Sequence, residues 1–369
     1  MRIVFMHRQL AGGGTEADLT RVATLLAARG HDMHVVCAKE NAVVPGATVH
    51  RIPIVRAGRA ARVLSFALAA PRAAERLRPD VVVGYGRAIR QDVARIGGGT
   101  HRSYLRTMRD AGGRLRGLGP YHRAILWVEA RQFAPTGQRA ILAVAEQVRR
   151  QIQQDYGVDG DAIHVIYNGV DGERFHPRSR GLLGADTRRA LGLGPTERLC
   201  LAIGSGFERK GFDLLSRLWG TTAPAGLRLA LVGADERLGA YRRAAATGAG
   251  RVLVLGPRDD VPALLAAADV LCVPSRQEAF GNVVLEGCAA AVPVVTSVRV
   301  GAAELLTGDL RELVVSDPQD ATSLRRAIEL AVGPDHDRYA RAGRALAEER
   351  PWSRHVAEVE GLLEAVARG

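Results

Sequence analysis

Residues 269–297, "DVLCVPSRQEAFGNVVLEGCAAAVPVVTS", decide how this chain folds. The run "VLCV" has no polar alternation, so it reads as a strand buried on both faces. "PSRQEAFG" is a loop, "NVVLEGCAAA" has the apolar spacing of a helix, and "VPVVTS" is a second buried strand. Strand, loop, helix and strand in under thirty residues make a unit of parallel sheet. The loop carries Glu278, and Glu286 follows eight positions later, about two turns inside the helix. Ligands of parallel sheets bind at the carboxyl ends of strands, which is where Glu278 falls.

The same pattern runs through the rest of the chain. In the first half "RIVFMH", "HDMHVVCA" and "DVVVGY" are strands, and "EADLTRVATLLAARG" is a helix closed by Gly30. "RAILAVAEQVRRQIQQDYG" begins as a strand and becomes a helix. The second half restarts with "RLCLAIGS", "LRLALVGA" and "RVLVLGP". Turn residues cluster in "HVIYNGVDGERFHPRSRG", which places a boundary there. A length of 369 residues exceeds the usual limit for one core. Two α/β domains are expected, residues 1–169 and 170–351. A final helix at about 352–369, capped by Ser353, packs back on the first domain.

Composition narrows the function. No apolar stretch approaches the ~18–20 residues that span a membrane, and the start is too short in apolar residues for a signal peptide. A cytosolic protein is expected. Cys37, Cys200, Cys272 and Cys288 stand singly, as buried reduced thiols do. The net charge of +12 lies wholly in the first half: residues 1–170 hold 25 basic against 13 acidic residues, residues 171–369 hold 26 of each. The first half therefore suits an anionic partner. Nucleic acid fits poorly, because aromatic content is 5% and no recognition motif is present.

Three strand-end segments can carry chemistry. "AGGGTEADLT", residues 11–20, has glycines that admit an anion to a helix N-terminus; a plain turn reads equally well. "IGSGFERKGFD", residues 203–213, fails the dinucleotide fingerprint at Arg209 and fails the P-loop pattern as well. "GYGRAI" fails the fingerprint at Ile89, which removes a nicotinamide oxidoreductase. What remains is Arg209 beside Lys210 at a strand end, a pair suited to phosphate or to an ordinary exposed surface. In the third segment Glu278 and Glu286 flank the backbone donors of Phe280, Gly281 and Asn282, which suits a polyhydroxyl ligand carrying phosphate. No metal-ligand cluster is read, and the Asp159–Asp161 and Asp335–Asp337 triplets lie in turn-like sequence.

The spacing E-x7-E from Glu278 to Glu286, with Phe280 and Gly281 between, resembles the signature of retaining glycosyltransferases of family 4. The resemblance spans nearly the whole chain, including "YNGVDGERFHP", "GSGFERKG" and residues 261–295. It is most similar to the lipopolysaccharide core glucosyltransferases that act on heptose. It implies a GT-B fold, two Rossmann-like parallel-sheet domains facing across a cleft. It implies transfer of a hexose, glucose, from a UDP-sugar to a lipid-linked saccharide such as the lipopolysaccharide inner core. By resemblance the donor lies on residues 170–351 and the acceptor on 1–169. Glu278 holds sugar hydroxyls, Glu286 the ribose hydroxyls, and Phe280–Asn282 the sugar and distal phosphate. Arg209 and Lys210 neutralise the diphosphate beside Gly204, Gly13 and Gly14 close over it, and Arg258 of "GPRDD" seats the base. His101 lines the donor sugar, and Asp18 matches an acceptor-side acid. No metal, cofactor or protein nucleophile is implied.

Two other readings stay open: a family 4 enzyme using another donor on another glycolipid or polysaccharide precursor, and a GT-B nucleotide-sugar epimerase. A basic surface counts against the epimerase, since its soluble substrate needs none. Residues 101–131 hold seven arginines against Asp110 and Glu129, with Tyr121 and Trp127 among them. That composition predicts peripheral binding to the anionic inner face of the cytoplasmic membrane.

Overall fold

The structure, a computed structural model, describes residues 1–10, 13–40, 42–110, 119–222, 224–247 and 251–369. The chain forms two compact units: residues 1–168 with 352–369, and residues 169–351. In the first unit the strands are β1 (Arg2–Met6), β2 (Gln9–Leu10), β3 (Asp32–Cys37), β4 (Lys39–Glu40), β5 (Ala47–Arg51), β6 (Val81–Gly84), β7 (Val93–Ile96), β8 (Ala140–Ala143) and β9 (Ile163–Val165). Seven of them form one sheet in the order β5-β3-β1-β6-β7-β8-β9, and β2 pairs with β4 apart from it. Every pairing in the large sheet is parallel. Strand order reverses direction between β1 and β6, so this unit's switch point lies there.

The second unit contains β10 (Arg198–Ile203), β11 (Leu227–Val232), β12 (Val252–Gly256), β13 (Val270–Val273), β14 (Val294–Ser297) and β15 (Val314–Val315). They form a parallel sheet in the order β12-β11-β10-β13-β14-β15, whose switch point lies between β10 and β13. Cys200, Leu229 and Val270 from the strands meet Phe207, Phe212, Leu215, Trp219 and Tyr339 in its core. Each such apolar side chain contributes ~1.5–3 kcal/mol on full burial. Trp219 also satisfies its indole N–H on the Leu227 carbonyl at 3.0 Å. All four cysteines are buried thiols.

The chain crosses between the units twice. Val170 N–H donates to Arg350 at 2.8 Å, so the two crossing segments pair as a short bridge. The C-terminal helix Trp352–Arg368 then joins the first unit, burying Val356, Val359 and Leu363. Its Glu360 meets Arg29 at 2.5 Å and His31 at 2.6 Å. Ser353 is not its cap: the helix begins one residue earlier, directly after Pro351, which leaves Ser353 inside the first turn. Among the described residues, no helix is long and apolar enough to cross a membrane.

Candidate active site

In the second unit, the loops that leave β10 and β13 are tied together at the switch point. Arg276 N–H donates to the Arg209 carbonyl at 2.9 Å, and Arg209 Nη1 donates to the Gln277 carbonyl at 2.9 Å. Gly211, at φ +75°, turns the first loop into helix Phe212–Thr221; a β-carbon there would strike the Pro274 carbonyl. Beneath the loops, Arg276 grips Asp213 through both guanidinium branches, at 2.6 and 2.9 Å.

That frame places Glu278 between two cations. Its Oε2 accepts from Arg209 Nη1 at 2.7 Å and from Lys210 Nζ at 2.5 Å. The backbone of Glu278 is fixed as strictly as its side chain: its N–H donates to Arg299 at 3.0 Å, and its carbonyl accepts from Gly301 at 3.1 Å. Burial raises the Glu278 carboxyl, but Lys210 and Arg209 outweigh burial and hold it at about 2. Lys210 moves downward as well: burial lowers it, Glu278 opposes, and Arg209 adds to the lowering. The sharing of one oxygen at hydrogen-bond distance supports an ionised triad, with the gain on the carboxylate partly offset on the ammonium. The triad carries a net single positive charge at the strand ends.

Gly204 ends β10, and its missing side chain makes room for the Lys210 stem; a β-carbon there would stand 2.6 Å from Lys210 Cε. Gly281, at φ +88°, precedes helix Asn282–Ala289, where a β-carbon would meet Val300 at 2.9 Å. Phe280 is buried, with its carbonyl on Ala302 N–H at 2.8 Å. The helix starts at Asn282, so the half-buried Glu286 is its fifth residue, little more than one turn in rather than two. Arg258 stands exposed on the loop after β12, paired with Asp260 at 2.7 Å.

In the first unit, Gly13 is the N-cap of helix Gly14–Ala28, and Glu16 folds back against it. Glu16 also meets His7, nine residues earlier, at 3.3 Å, a contact that no motif marks. Among the described residues beyond its own helix turn and chain neighbours, none comes within 4 Å of where a Gly14 β-carbon would stand. Ala11 and Gly12 fall outside the described residues. Asp18 faces inward: 5% exposed, it accepts from Arg95 at 3.0 Å and from Asn168 at 3.1 Å. His101 opens helix His101–Asp110 beyond β7, is 6% exposed, and is held by His122 and Glu129. Burial, then Arg87 and His122, bring its imidazole down to about 3, so it is neutral.

Residues 12–174 match the glycosyltransferase family 4 description, and residues 197–332 match glycosyl transferases group 1. The chain carries a glycosyltransferase family 4 domain followed by a glycosyl transferases group 1 domain. Among its relatives is the lipopolysaccharide glucosyltransferase WaaG of Escherichia coli, 25% identical over 367 residues, 97% of this chain and 94% of that protein. A D-inositol 3-phosphate glycosyltransferase of Nocardia farcinica is 33% identical over 257 residues, 63% of this chain and 53% of that one. The fold of this glycosyltransferase is GT-B. The crystal structure of WaaG superposes with a TM-score of 0.82 at 22% identity, covering 98% of this chain and 99% of that one. Anabaena HepE, crystallised with UDP-glucose, gives 0.76 at 19% identity over 99% and 100%.

Among the described residues, the second-unit loops bring together Glu278, Arg209, Lys210 and Gly204. The supports Arg276 and Asp213 were missed, because 63 positions separate them and neither lies in a recognisable motif.

Proposed function

We propose that this glycosyltransferase moves glucose from UDP-glucose to a lipid-linked saccharide of the lipopolysaccharide inner-core kind, with retention at the anomeric carbon and without a metal. The observation that carries the reading is the triad of Glu278, Arg209 and Lys210 at the switch point of the second sheet. The near full-length relationship to WaaG supports the acceptor class, and the fold shared with the UDP-glucose-bound HepE supports the donor.

In this reading the second unit holds the donor. Arg209 and Lys210 take the diphosphate, whose charge grows as the glycosidic bond breaks. Glu278, relieved of part of its cation contact, accepts from sugar hydroxyls. Glu286 takes the ribose hydroxyls, Phe280, Gly281 and Asn282 face the sugar and distal phosphate, Gly204 leaves room for Lys210, and Arg258 seats the base. From the first unit, His101 lines the sugar and Gly13 and Gly14 admit the phosphates. The buried pair with Arg95 makes Asp18 a support for the acceptor side rather than a group exposed to it. The bond from the anomeric carbon to phosphate oxygen breaks while the acceptor oxygen bonds on the same face. The acceptor proton passes to the departing phosphate, and no protein nucleophile is used. The enzyme works on the cytoplasmic face of the inner membrane, reached through residues 101–131.

A panel of nucleotide-sugars tested by thermal shift, followed by transfer to deep-rough core acceptors with and without chelator, tests the reading. UDP-glucose is expected to stabilise the protein and to give an α-linked product. Replacing Glu286 with Ala removes an acceptor worth ~1.5–3 kcal/mol, so UDP affinity is expected to fall about ten- to a hundredfold. Unchanged UDP affinity in that variant would remove Glu286 from the ribose. Release of a free epimerised sugar nucleotide, without transfer, would replace the proposal by the epimerase reading.

A further inference from the structure

Helix Pro120–Gln132 carries His122 and Glu129 seven residues apart, about two turns, and therefore on one side. Both reach His101. His122 Nδ1 lies 2.9 Å from His101 Nε2, and the two rings stack with centroids 5.1 Å apart and planes 15° apart. Tyr104 stacks on His101 as well, at 5.6 Å. Glu129 takes the backbone instead: both of its carboxylate oxygens accept from His101 N–H, at 3.0 and 2.9 Å. As the first residue of its helix, His101 has no intrahelical acceptor for that N–H, and the helix end favours a negative charge. Glu129 supplies both. It is 4% exposed and is held in turn by the Tyr156 hydroxyl at 2.7 Å and by Arg87 at 3.6 Å.

We propose that His122 and Glu129 are the positioning residues of His101. Glu129 fixes where its backbone enters the helix, and His122 occupies the Nε2 edge of its ring, so that the Nδ1 edge is the one presented to the sugar. The inference rests on the reading that His101 lines the donor. Among the described residues, no hydrogen bond reaches Nδ1. In the contact with His122 one nitrogen must donate and the other accept, so the tautomer of His122 is coupled to whether His101 Nδ1 meets a ligand as donor or as acceptor.

The test uses the full chain. In His122→Ala, kcat is expected to fall about tenfold to a hundredfold while KM for the donor stays within about twofold, because a ring displaced by an ångström loses transition-state contact. His122→Asn keeps a polar atom near the Nδ1 position and is expected to restore most of the loss. His122→Gln, whose amide lies one bond further out, is not. That pair carries the test should the alanine variant fail to fold. In 15N-histidine-labelled protein, the long-range proton–nitrogen spectrum is expected to show one neutral tautomer for His101, and a mixture in His122→Ala. Wild-type kcat together with an unchanged nitrogen pattern in His122→Ala overturns the inference. Full turnover in His101→Ala overturns instead the reading on which it rests, and the nitrogen pattern still reports whether His122 sets the tautomer.

Discussion

Arg276 and Asp213, 63 residues apart, form a two-pronged ion pair at 2.6 and 2.9 Å beneath the loops that hold Glu278. The Arg276 side chain is 8% exposed and that of Asp213 24%, so the pair is largely out of water. Burial raises the Asp213 carboxyl, yet Arg276 turns it downward overall. Truncating one partner of such a pair costs ~3–5 kcal/mol, since the other charge is left buried. Arg276→Ala is therefore expected to lower the urea midpoint of the second unit sharply and to loosen UDP binding. Arg258→Ala, from an exposed pair, is expected to cost less than ~1 kcal/mol. Equal stability of the two variants would show that Arg276 is not an anchor.

Lys210→Ala is expected to reduce kcat by about 10²–10³ and UDP affinity by much less, because charge on the leaving group grows in the transition state. Arg209→Ala should be comparably damaging. Gly204→Ala approaches the same end without touching a charge. Its new methyl group would stand 2.6 Å from Lys210 Cε and must displace the ammonium from Glu278. Reduced kcat with a lowered melting temperature is the expected result, because Gly204 stands at φ +155° and the displaced ammonium leaves Glu278. Wild-type turnover in Lys210→Ala would reduce the cation pair to surface charge.

Acid should weaken the fold in two stages. His101 and His355 are both buried and neutral, lowered by burial to about 3 and about 4 from an ordinary 6.5. The unfolded chain takes up their protons first. Stability is thus whole above pH 6.5 and declines below it, by ~1.4 kcal/mol per pH unit for each group. Glu278 acts lower down. Its folded value of about 2 lies below the ordinary 4.5, so its contribution is present above pH 4.5 and is lost as pH falls toward 2. Urea midpoints measured from pH 8 to 4 check the first stage; His355→Gln is expected to make the slope between pH 6.5 and 5 shallower. A flat profile there would mean that these rings are not buried in solution.

The parallel sheets were legible because their strands are unbroken apolar runs, and the strand ends then located Glu278, Arg209 and Lys210 without side-chain detail. What stayed hidden depends on pairing across sequence. "DLT" gives no sign that Asp18 turns inward, since its partner Arg95 comes from β7 and Asn168 from beyond β9. Likewise, nothing in "YHRAILWVEA" marks His122 and Glu129 as neighbours of His101; only the packing of helix Pro120–Gln132 brings them there. Glu286 was placed too deep because its eight-residue spacing from Glu278 includes loop residues 278–281, and the helix begins only at Asn282, after the left-handed Gly281.

Membrane attachment is expected to depend on fewer arginines than residues 101–131 contain. Arg102 donates to the Asp155 carbonyl at 2.6 Å, and Arg106 pairs with the Asp155 carboxylate, so these two hold the fold. Arg114 and Arg116 lie outside the described residues. Helix Pro120–Gln132 turns Arg123, Trp127 and Arg131 outward at four-residue spacing, with Trp127 38% exposed and the Arg131 guanidinium 3.6 Å from its ring centre. Basic residues at an anionic bilayer contribute ~1 kcal/mol each, so Arg123 and Arg131, with the exposed Arg109, supply part of the attachment. An indole at headgroup depth supplies the apolar part. Sedimentation with vesicles is expected to show binding to anionic lipid at low ionic strength, weakening as salt screens it. Charge reversal of Arg123 and Arg131 should release the protein with UDP binding intact, and Trp127→Ala should weaken attachment even at low salt. Arg106→Glu should instead lower the melting temperature, since it opposes Asp155. Equal binding to neutral and anionic vesicles, or none to either, would remove the membrane from this protein's function.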